Sequence, residues 1–423
     1  MKIQTPSPPE RASLAGQNLL FLSLPKHDGH YTSTPWQIAT QLAKDNKVFF
    51  VDHPYTVTDL LTGFMKSNVL KRIKGWFRKG SYHKDGVEVI LSPFVFPINF
   101  LPRGERYNRF LKVNHRILAA HINRVLKKHG IESLIYVNSF DFYFPDLHRY
   151  LDADIKLNVY HCIDPMVKAF TVKHGIYLQE RAARESDVII CTAPALCKQF
   201  ENAGYPKTYV VPNGANFELF NRAAYDASVH RSVGGIEGKV MGYLGNIERR
   251  TDFRLLLRVL EILPEWQLVL AGPVERQYVP GEIFEHPRIH LTGPVPHHEA
   301  PSVVKRFDVS IIPFKCDEVS SGIYPLKLFE YMAAGKPVVS THFNPGVLSG
   351  LSEVVHAADS EEQFADFVLL AYATDSVQKR EKRILVAAEN TWEKRAQLFS
   401  SCLEEEIEVK HHRPYVAERK NQE

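Results

Sequence analysis

Two successive runs of short apolar segments alternating with amphipathic ones, each about half of the 423 residues, constrain this chain more than any other feature. The first run opens with Asn18–Leu24, a continuous apolar stretch suited to a buried parallel strand. A polar loop from Pro25 to Tyr31 follows. Thr34 is then expected as an N-cap, with Pro35 in the first helical position and Gln37 completing a capping box. This helix should run to about Lys44 and feed the strand Lys47–Asp52. Strand, loop, helix and strand in roughly thirty-five residues make a βαβ unit, the building block of a doubly wound sheet.

The same alternation continues with strands at Val87–Leu91, Ser133–Val137, Ile155–Tyr160, Asp187–Thr192 and Tyr209–Val211, and helices at Arg106–His129 and Tyr177–Glu185. Pro212-Asn213-Gly214 then signals a turn. After a polar stretch from Glu218 to Gly238, a second series begins with the strand Lys239–Leu244 and the helix Asp252–Leu263. Further strands are expected at Trp266–Ala271, Arg288–Thr292, Val309–Pro313 and Pro337–Ser340, with helices at His298–Phe307 and Pro325–Ala334. The fold expected is α/β: two Rossmann-like domains facing each other across a cleft. The expected boundaries are 1–215, 216–395 and a C-terminal helix and tail at 396–423, the last helix starting near Trp392.

Composition narrows the function. A net charge of +4 is small for this length, and neither an RNP motif nor a basic recognition helix is present, so nucleic acid is not an expected partner. The N-terminus lacks the apolar core of a secretory signal, and no run reaches the ~20 apolar residues of a membrane span. Five scattered cysteines, odd in number and without a C-x-x-C pair, suggest reduced thiols in a cytoplasmic protein. One local exception is Leu60–Lys79, where Phe64, Trp76 and Phe77 mix with Lys66, Lys71, Arg72, Lys74, Arg78 and Lys79. Such a segment can lie on an anionic membrane surface as a peripheral contact; a solvated helix with one packed face explains it equally well.

The chemistry concentrates in Ser320–Ser340. Pro325 suits the first position of a helix, and free N–H groups at such a terminus, at the carboxyl ends of parallel strands, favour a diphosphate. Lys327 adds a full positive charge in the first turn. Glu330 lies about a turn deeper, where a neutral sugar hydroxyl is a better partner than a phosphate. Leu326, Phe329, Tyr331 and Met332 follow helical spacing and read as core packing. No D-x-D pair is placed to hold a metal: Asp152-Ala-Asp154 fits the letters but precedes a strand in the first half.

The string from Pro325 to Val339 resembles the donor-site signature of GT-B glycosyltransferases, particularly the retaining group 1 enzymes of glycosyltransferase family 4, of the polysaccharide and teichuronic-acid type. The resemblance extends to Gly242–Asp252, like the loop where a basic pair grips phosphates, to Gly293–His297, like the loop that meets the nucleobase, and to Val211–Gly214 at the domain junction. It also extends to Glu389–Arg395, like the helix that crosses back to the first domain. It implies a nucleoside-diphosphate sugar donor, UDP or GDP, no cofactor and no metal, and a saccharide or lipid-linked acceptor used in cell-envelope polysaccharide synthesis. It places Glu330 on the ribose and Leu326, Gly245, Val295, His297 and Gly322 around the nucleotide sugar. Arg249 or Arg250, with Lys327, would stabilise the leaving diphosphate.

Three positions depart from the family pattern: Gly322 stands where a second glutamate is common, Pro325 where glycine is common, and Tyr243 where arginine is common. In the first half, His161 and Asp164 follow a strand at a place where family members carry a histidine or aspartate near the reacting sugar; strand capping and a turn before Pro165 are the structural alternative. His27, Asp28 and Asp52 are weaker candidates. A sugar-nucleotide 2-epimerase and a non-catalytic glycosyltransferase-like subunit share the architecture and remain open at this point.

Overall fold

The computed structural model describes residues 14–28, 33–59, 80–166, 173–205, 207–225 and 228–412. The basic segment Leu60–Lys79 and the tail from Arg413 onward lie outside the described residues. Among the described residues fourteen strands form two sheets. The first holds β1 (Asn18–Ser23), β2 (Lys47–Asp52), β3 (Ser81–Lys84), β4 (Val87–Ile90), β5 (Ser133–Ser139), β6 (Asp154–Cys162), β7 (Val188–Cys191) and β8 (Thr208–Val210). Their order is β3-β4-β2-β1-β5-β6-β7-β8, parallel throughout except for the β3/β4 pair. The second holds β9 (Lys239–Leu244), β10 (Trp266–Ala271), β11 (Ile289–Gly293), β12 (Val309–Ile312), β13 (Val338–Thr341) and β14 (Val355–Ala358), all parallel, in the order β11-β10-β9-β12-β13-β14.

The apolar runs follow from burial on both faces. In β1, Leu19 and Phe21 pack into one cluster with Trp36, Ile38 and Leu42 of helix α1 (Thr34–Leu42). Leu20 and Leu22 point the other way, against Leu118, Ile122 and Val125 of helix α2 (Glu105–Lys128). A strand between two helical layers has no solvent face, so the period-two alternation disappears from its sequence.

Several expectations are corrected. Ser33, not Thr34, is the N-cap of α1, and it makes no side-chain capping bond. The Thr34 hydroxyl instead donates to Asn213 Oδ1 at 2.7 Å. Pro325 is the N-cap of helix α3 (Leu326–Ala333) with extended backbone, not its first helical residue. The helix expected over His298–Phe307 is shorter: a 3-10 turn at His297–Glu299, then Ala300–Val304. The β3/β4 hairpin was missed although Asp85-Gly86 carries its signal: both residues have positive φ, 49° and 83°, as a two-residue hairpin turn requires. Helix Phe217–Tyr225 lies in the stretch read as a polar connection, and β14 was also missed.

The last helix, α4 (Trp392–His412), returns to the first sheet. Trp392, Ala396, Phe399 and Leu403 join the cluster of Phe21, Val137 and Val159. Tyr209 donates its hydroxyl to Glu406 Oε1 at 2.9 Å, and Lys410 pairs with Asp187 at 2.9 Å. On its way from the first sheet to the second the chain passes Gly214, beside the start of α4. Ala215 donates its N–H to Asn390 O at 2.8 Å, and a Cβ on Gly214 would fall 2.6 Å from the Trp392 nitrogen and 2.7 Å from the Thr391 carbonyl carbon.

Both of those neighbours are backbone and cannot swing aside. Gly214→Ala should therefore lower unfolding free energy by about 1–3 kcal/mol in urea denaturation. Gly235→Ala, which meets nothing within 4 Å, should leave it close to wild type.

Candidate functional site

The crevice between the sheets is lined from the first by Ser33, Gln37, Asp164 and Asn213, and from the second by Gly245, Arg250, Val295, His297, Lys327 and Glu330, with Trp392 of α4. Its volume is about 440 Å³. The strand order of the second sheet reverses between β9 and β12, and the residues after both strands, Gly245 and Phe314, line this crevice. That is where an open parallel sheet binds ligands.

Helix α3 is held in place by its buried side. Leu328, Phe329, Tyr331 and Met332 are in the core, and the Leu244 N–H donates to the Tyr331 hydroxyl at 2.8 Å. This anchoring leaves Lys327 and Glu330 facing the crevice. The Lys327 side chain runs across Gly245, where an added Cβ would sit 2.0 Å from Lys327 Cε. Gly245 also has φ of 150°, which glycine adopts far more readily than other residues. The Lys327 ammonium lies 5.5 Å from the Tyr243 ring centre, and Tyr243 donates its hydroxyl to Asn246 O at 3.1 Å. Tyr243, at the position where the resemblance would place an arginine, thus lies beside the lysine.

Burial pushes the Lys327 ammonium down to about 8, aided by the Arg250 charge and opposed by Glu330 and Glu248. Burial pushes the Glu330 carboxyl up to about 7, opposed by Lys327. His297 Nε2 lies 4.0 Å from Glu330 Oε1, and burial holds that imidazole below its usual range. Val295, His297 and Ala300 form one wall of the crevice with Phe220, whose ring centre is 6.0 Å from that of His297. Leu326 is half-buried, lines the crevice and packs toward the cluster holding α4.

The two arginines separate. Arg250 reaches the crevice, pairs with Glu248 and lies 5.8 Å from the Phe314 ring centre. Arg249 lines an adjacent chamber of about 320 Å³ with Leu24, Phe140, Phe142, Tyr143 and Met166. Asp164 and Arg250 border both spaces. Asp164 is exposed to the water of the cleft, and two charges of the second sheet act on its carboxyl, Arg250 lowering it and Glu248 raising it.

His161 and Asp164 do not come together. β6 runs two residues past Tyr160, which puts His161 inside the sheet, hydrogen-bonded through Nδ1 to Ser139 Oγ at 2.8 Å and edge-on to Phe399 at 5.3 Å. It is not among the residues lining either space, and burial lowers it to about 3. Gly322 packs toward Pro165 and Leu196, where an added Cβ would be 3.4 and 3.6 Å away, and it too is outside the crevice lining. His27 bridges Asp52 Oδ2 (2.8 Å) and Tyr82 Oη (2.5 Å). Among the described residues, His27, Asp28 and Asp52 are the one group of three close enough to share a metal ion, although His27 already uses both ring nitrogens. The sequence missed Asn213 as a hub: its side chain accepts from Thr34 and donates to Tyr324 O at 3.1 Å, just ahead of α3. The Pro-Asn-Gly turn was its only sequence signal.

Two parallel sheets facing one crevice, closed by a helix that returns to the first sheet, define the GT-B class of fold. Residues 238–374 match the family model for group 1 glycosyl transferases. TuaH of Bacillus subtilis strain 168, provisionally named as a teichuronic acid biosynthesis glycosyltransferase, is 34% identical over 169 residues, covering 38% of this chain and 42% of that protein. The match thus spans less than half of that relative's length. Similar solved structures include sucrose-phosphate synthase of Thermosynechococcus elongatus (TM-score 0.64, 14% identity, 93% of this chain and 100% of that one). HepE of Anabaena in complex with UDP and glucose superposes with a TM-score of 0.60 (15% identity, 91% and 99%). Trehalose 6-phosphate synthase of Burkholderia multivorans gives 0.64 (11% identity, 95% and 99%). The chain is a GT-B-fold protein resembling the group 1 glycosyltransferases.

Because Lys327 lowers the Glu330 carboxyl, Lys327→Met should move the Glu330 titration above about 7. Carboxyl-selective NMR, assigned with Glu330→Gln, should show the upward shift. A downward or absent shift would mean that the two groups do not share a field.

Proposed function

We propose that this protein transfers a sugar from a nucleoside-diphosphate sugar, with UDP or GDP as carrier, to a saccharide or lipid-linked acceptor in cell-envelope polysaccharide synthesis. The single observation that carries this reading is the grouping of Lys327, Arg250 and the α3 N-terminus on one side of a crevice, with the Glu330 carboxyl a turn deeper. Breaking a glycosyl–phosphate bond adds negative charge to the departing diphosphate. Lys327, Arg250 and the free N–H groups of α3 are fixed before reaction and offset that charge. Glu330 accepts from ribose hydroxyls, and Val295, His297 and Phe220 form the wall for the base. The second domain is the donor domain and the first holds the acceptor. Asp164 borders the crevice and the adjoining chamber, where the acceptor hydroxyl meets the sugar; transfer from the leaving group's own face retains configuration. The UDP complex of HepE and the sequence likeness to TuaH support a nucleotide sugar and an envelope polysaccharide.

The test is a thermal-shift panel of UDP, GDP, ADP and dTDP, followed by nucleotide release from the sugar conjugate of whichever binds. One nucleotide should stabilise wild type in proportion to its excess over Kd, and Glu330→Ala should abolish the shift. Lys327→Ala should reduce turnover about 10²–10³-fold while melting as wild type does, and Arg250→Ala should reduce it comparably but with a lower melting temperature, because Glu248 loses its partner. Arg249→Ala, outside the crevice lining, should cost much less. Binding without nucleotide release on any acceptor would favour a non-catalytic subunit, and epimerised donor without acceptor would favour an epimerase.

The sign of the pH dependence follows from Lys327. Its ammonium is charged below about 8, and the diphosphate needs that charge. Nucleotide affinity should weaken as pH rises through 8, by up to about tenfold per unit for a single required proton. The same titration on Lys327→Ala should be flat over that range.

A further inference from the structure

The first sheet and its helices expose a surface that the proposed transfer reaction does not use. Phe100 is 70% exposed, Phe110 47% and Phe96 46%, beside the exposed Ile176 and Tyr177. These residues are brought together by ordered contacts. Asn114 of α2 holds the backbone of Phe96 in both directions, at 3.0 and 2.9 Å. Lys173 donates to Phe100 O, Arg103 donates to Lys173 O at 2.6 Å, and the Arg103 guanidinium lies 5.7 Å from the Tyr177 ring centre. The Tyr107 ring stacks on His174 at 4.1 Å beneath them.

Along α2 the charge is one-sided. From Arg103 to Lys128 the sequence holds eight Lys or Arg residues and a single acid, Glu105. All eight basic residues are exposed, and Glu105 is already paired with Arg109 at 3.4 Å. Their spacing follows from α2, which buries Tyr107, Leu111, Leu118 and Ile122 and therefore turns Arg106, Arg109, Phe110, Val113 and Arg116 outward.

We propose that this face, Phe96, Phe100 and Phe110 set among the arginines of α2, docks onto an anionic lipid bilayer. Aromatic side chains entering the headgroup layer, surrounded by basic residues that meet lipid phosphates, are the chemistry of an interfacial membrane contact. The exposed rings supply an apolar contact that a free phosphate would not use, and the basic residues around them match a surface dense in phosphates. The topology puts the face in a useful place. α2 connects β4 to β5 in a parallel sheet, so it runs against the strands and begins at their carboxyl ends, the edge that faces the crevice. Ile98, Tyr107 and Leu111, under the exposed rings, share one apolar cluster with Leu24, Phe140, Tyr143 and Met166, which wall the chamber beside the crevice. A docked molecule would hold that chamber next to the bilayer surface.

The proposal does not depend on the transferase reading, because its test uses neither donor nor acceptor. The full-length protein is floated with phosphatidylcholine vesicles with and without phosphatidylglycerol. Wild type should bind the anionic vesicles, and binding should fall as salt rises. The charge reversal Arg106→Glu, Arg109→Glu, Arg116→Glu should lower the partition coefficient about a hundredfold, and Phe100→Ser about tenfold, both with unchanged melting temperature. A third variant, Lys71→Glu with Lys74→Glu, separates this face from the other basic stretch of the sequence and should keep most of the binding. Equal binding to both vesicle types, no binding at all, or loss confined to the Lys71/Lys74 variant would each overturn the proposal.

Discussion

The arrangement rests on one close passage of backbone. Where the chain leaves the first sheet, Gly214 lies so near Thr391 and Trp392 that only a hydrogen fits on its Cα. The two segments are joined there through Ala215 and Asn390, and Arg395 of α4 reaches the Asn213 carbonyl at 3.3 Å. Outgoing and returning chains therefore cross at one place. Asn213 extends the junction in two directions, to Thr34 at the start of α1 and to Tyr324 just before α3. Both crevice walls are thus referenced to a single asparagine. This gives the spacing between the sheets a local cause, since displacing either wall must break a hydrogen bond at the junction.

Inside the crevice the physical cost is electrostatic. Lys327, Arg250, Glu248 and Glu330 are drawn out of bulk water together, and burial is the largest influence on Lys327 and Glu330. Burying charge opposes folding unless the charges satisfy each other. Arg250 has Glu248 at hand. Lys327 lies over a tyrosine ring and Glu330 has a histidine 4.0 Å away, a weaker accommodation in both cases. Under the proposed function a diphosphate beside Lys327 and hydroxyl donors beside Glu330 would relieve both. The rigidity that makes this tolerable comes from the other side of α3, where four large side chains are packed in the core.

How much of this was legible in the sequence follows from which signals are local. The parallel strands announced themselves because both faces are buried, which leaves continuous runs such as Leu19–Leu22 and Val48–Val51. The Lys327–Glu330 helix was legible because its spacing and flanking residues are themselves the signal. Helix Phe217–Tyr225 was not, because it is short and only Phe220, Ala223 and Ala224 are buried. The depth of His161 depended on β6 extending two residues beyond its most apolar stretch, a tertiary effect of pairing with β7. The choice between Arg249 and Arg250 depended on the direction of adjacent side chains in an irregular loop, which no periodicity encodes. Asn213 was seen as a turn residue, but its partners at Thr34 and Tyr324 are 179 and 111 positions away.

Asp164 draws these strands of reasoning together. It follows β6 of the first sheet, yet the charges acting on it, Arg250 and Glu248, belong to the second. Its carboxyl is therefore tuned across the crevice, and its ionisation depends on the spacing that Asn213 and Gly214 set. Loosening the junction would move Arg250 away and remove the influence that lowers the Asp164 carboxyl. The field at Asp164 thus depends on how closely Arg250 and Glu248, across the crevice, approach it. A histidine inside the first sheet, such as His161, is insulated from that change, because its partners, Ser139 and Phe399, belong to one packed unit.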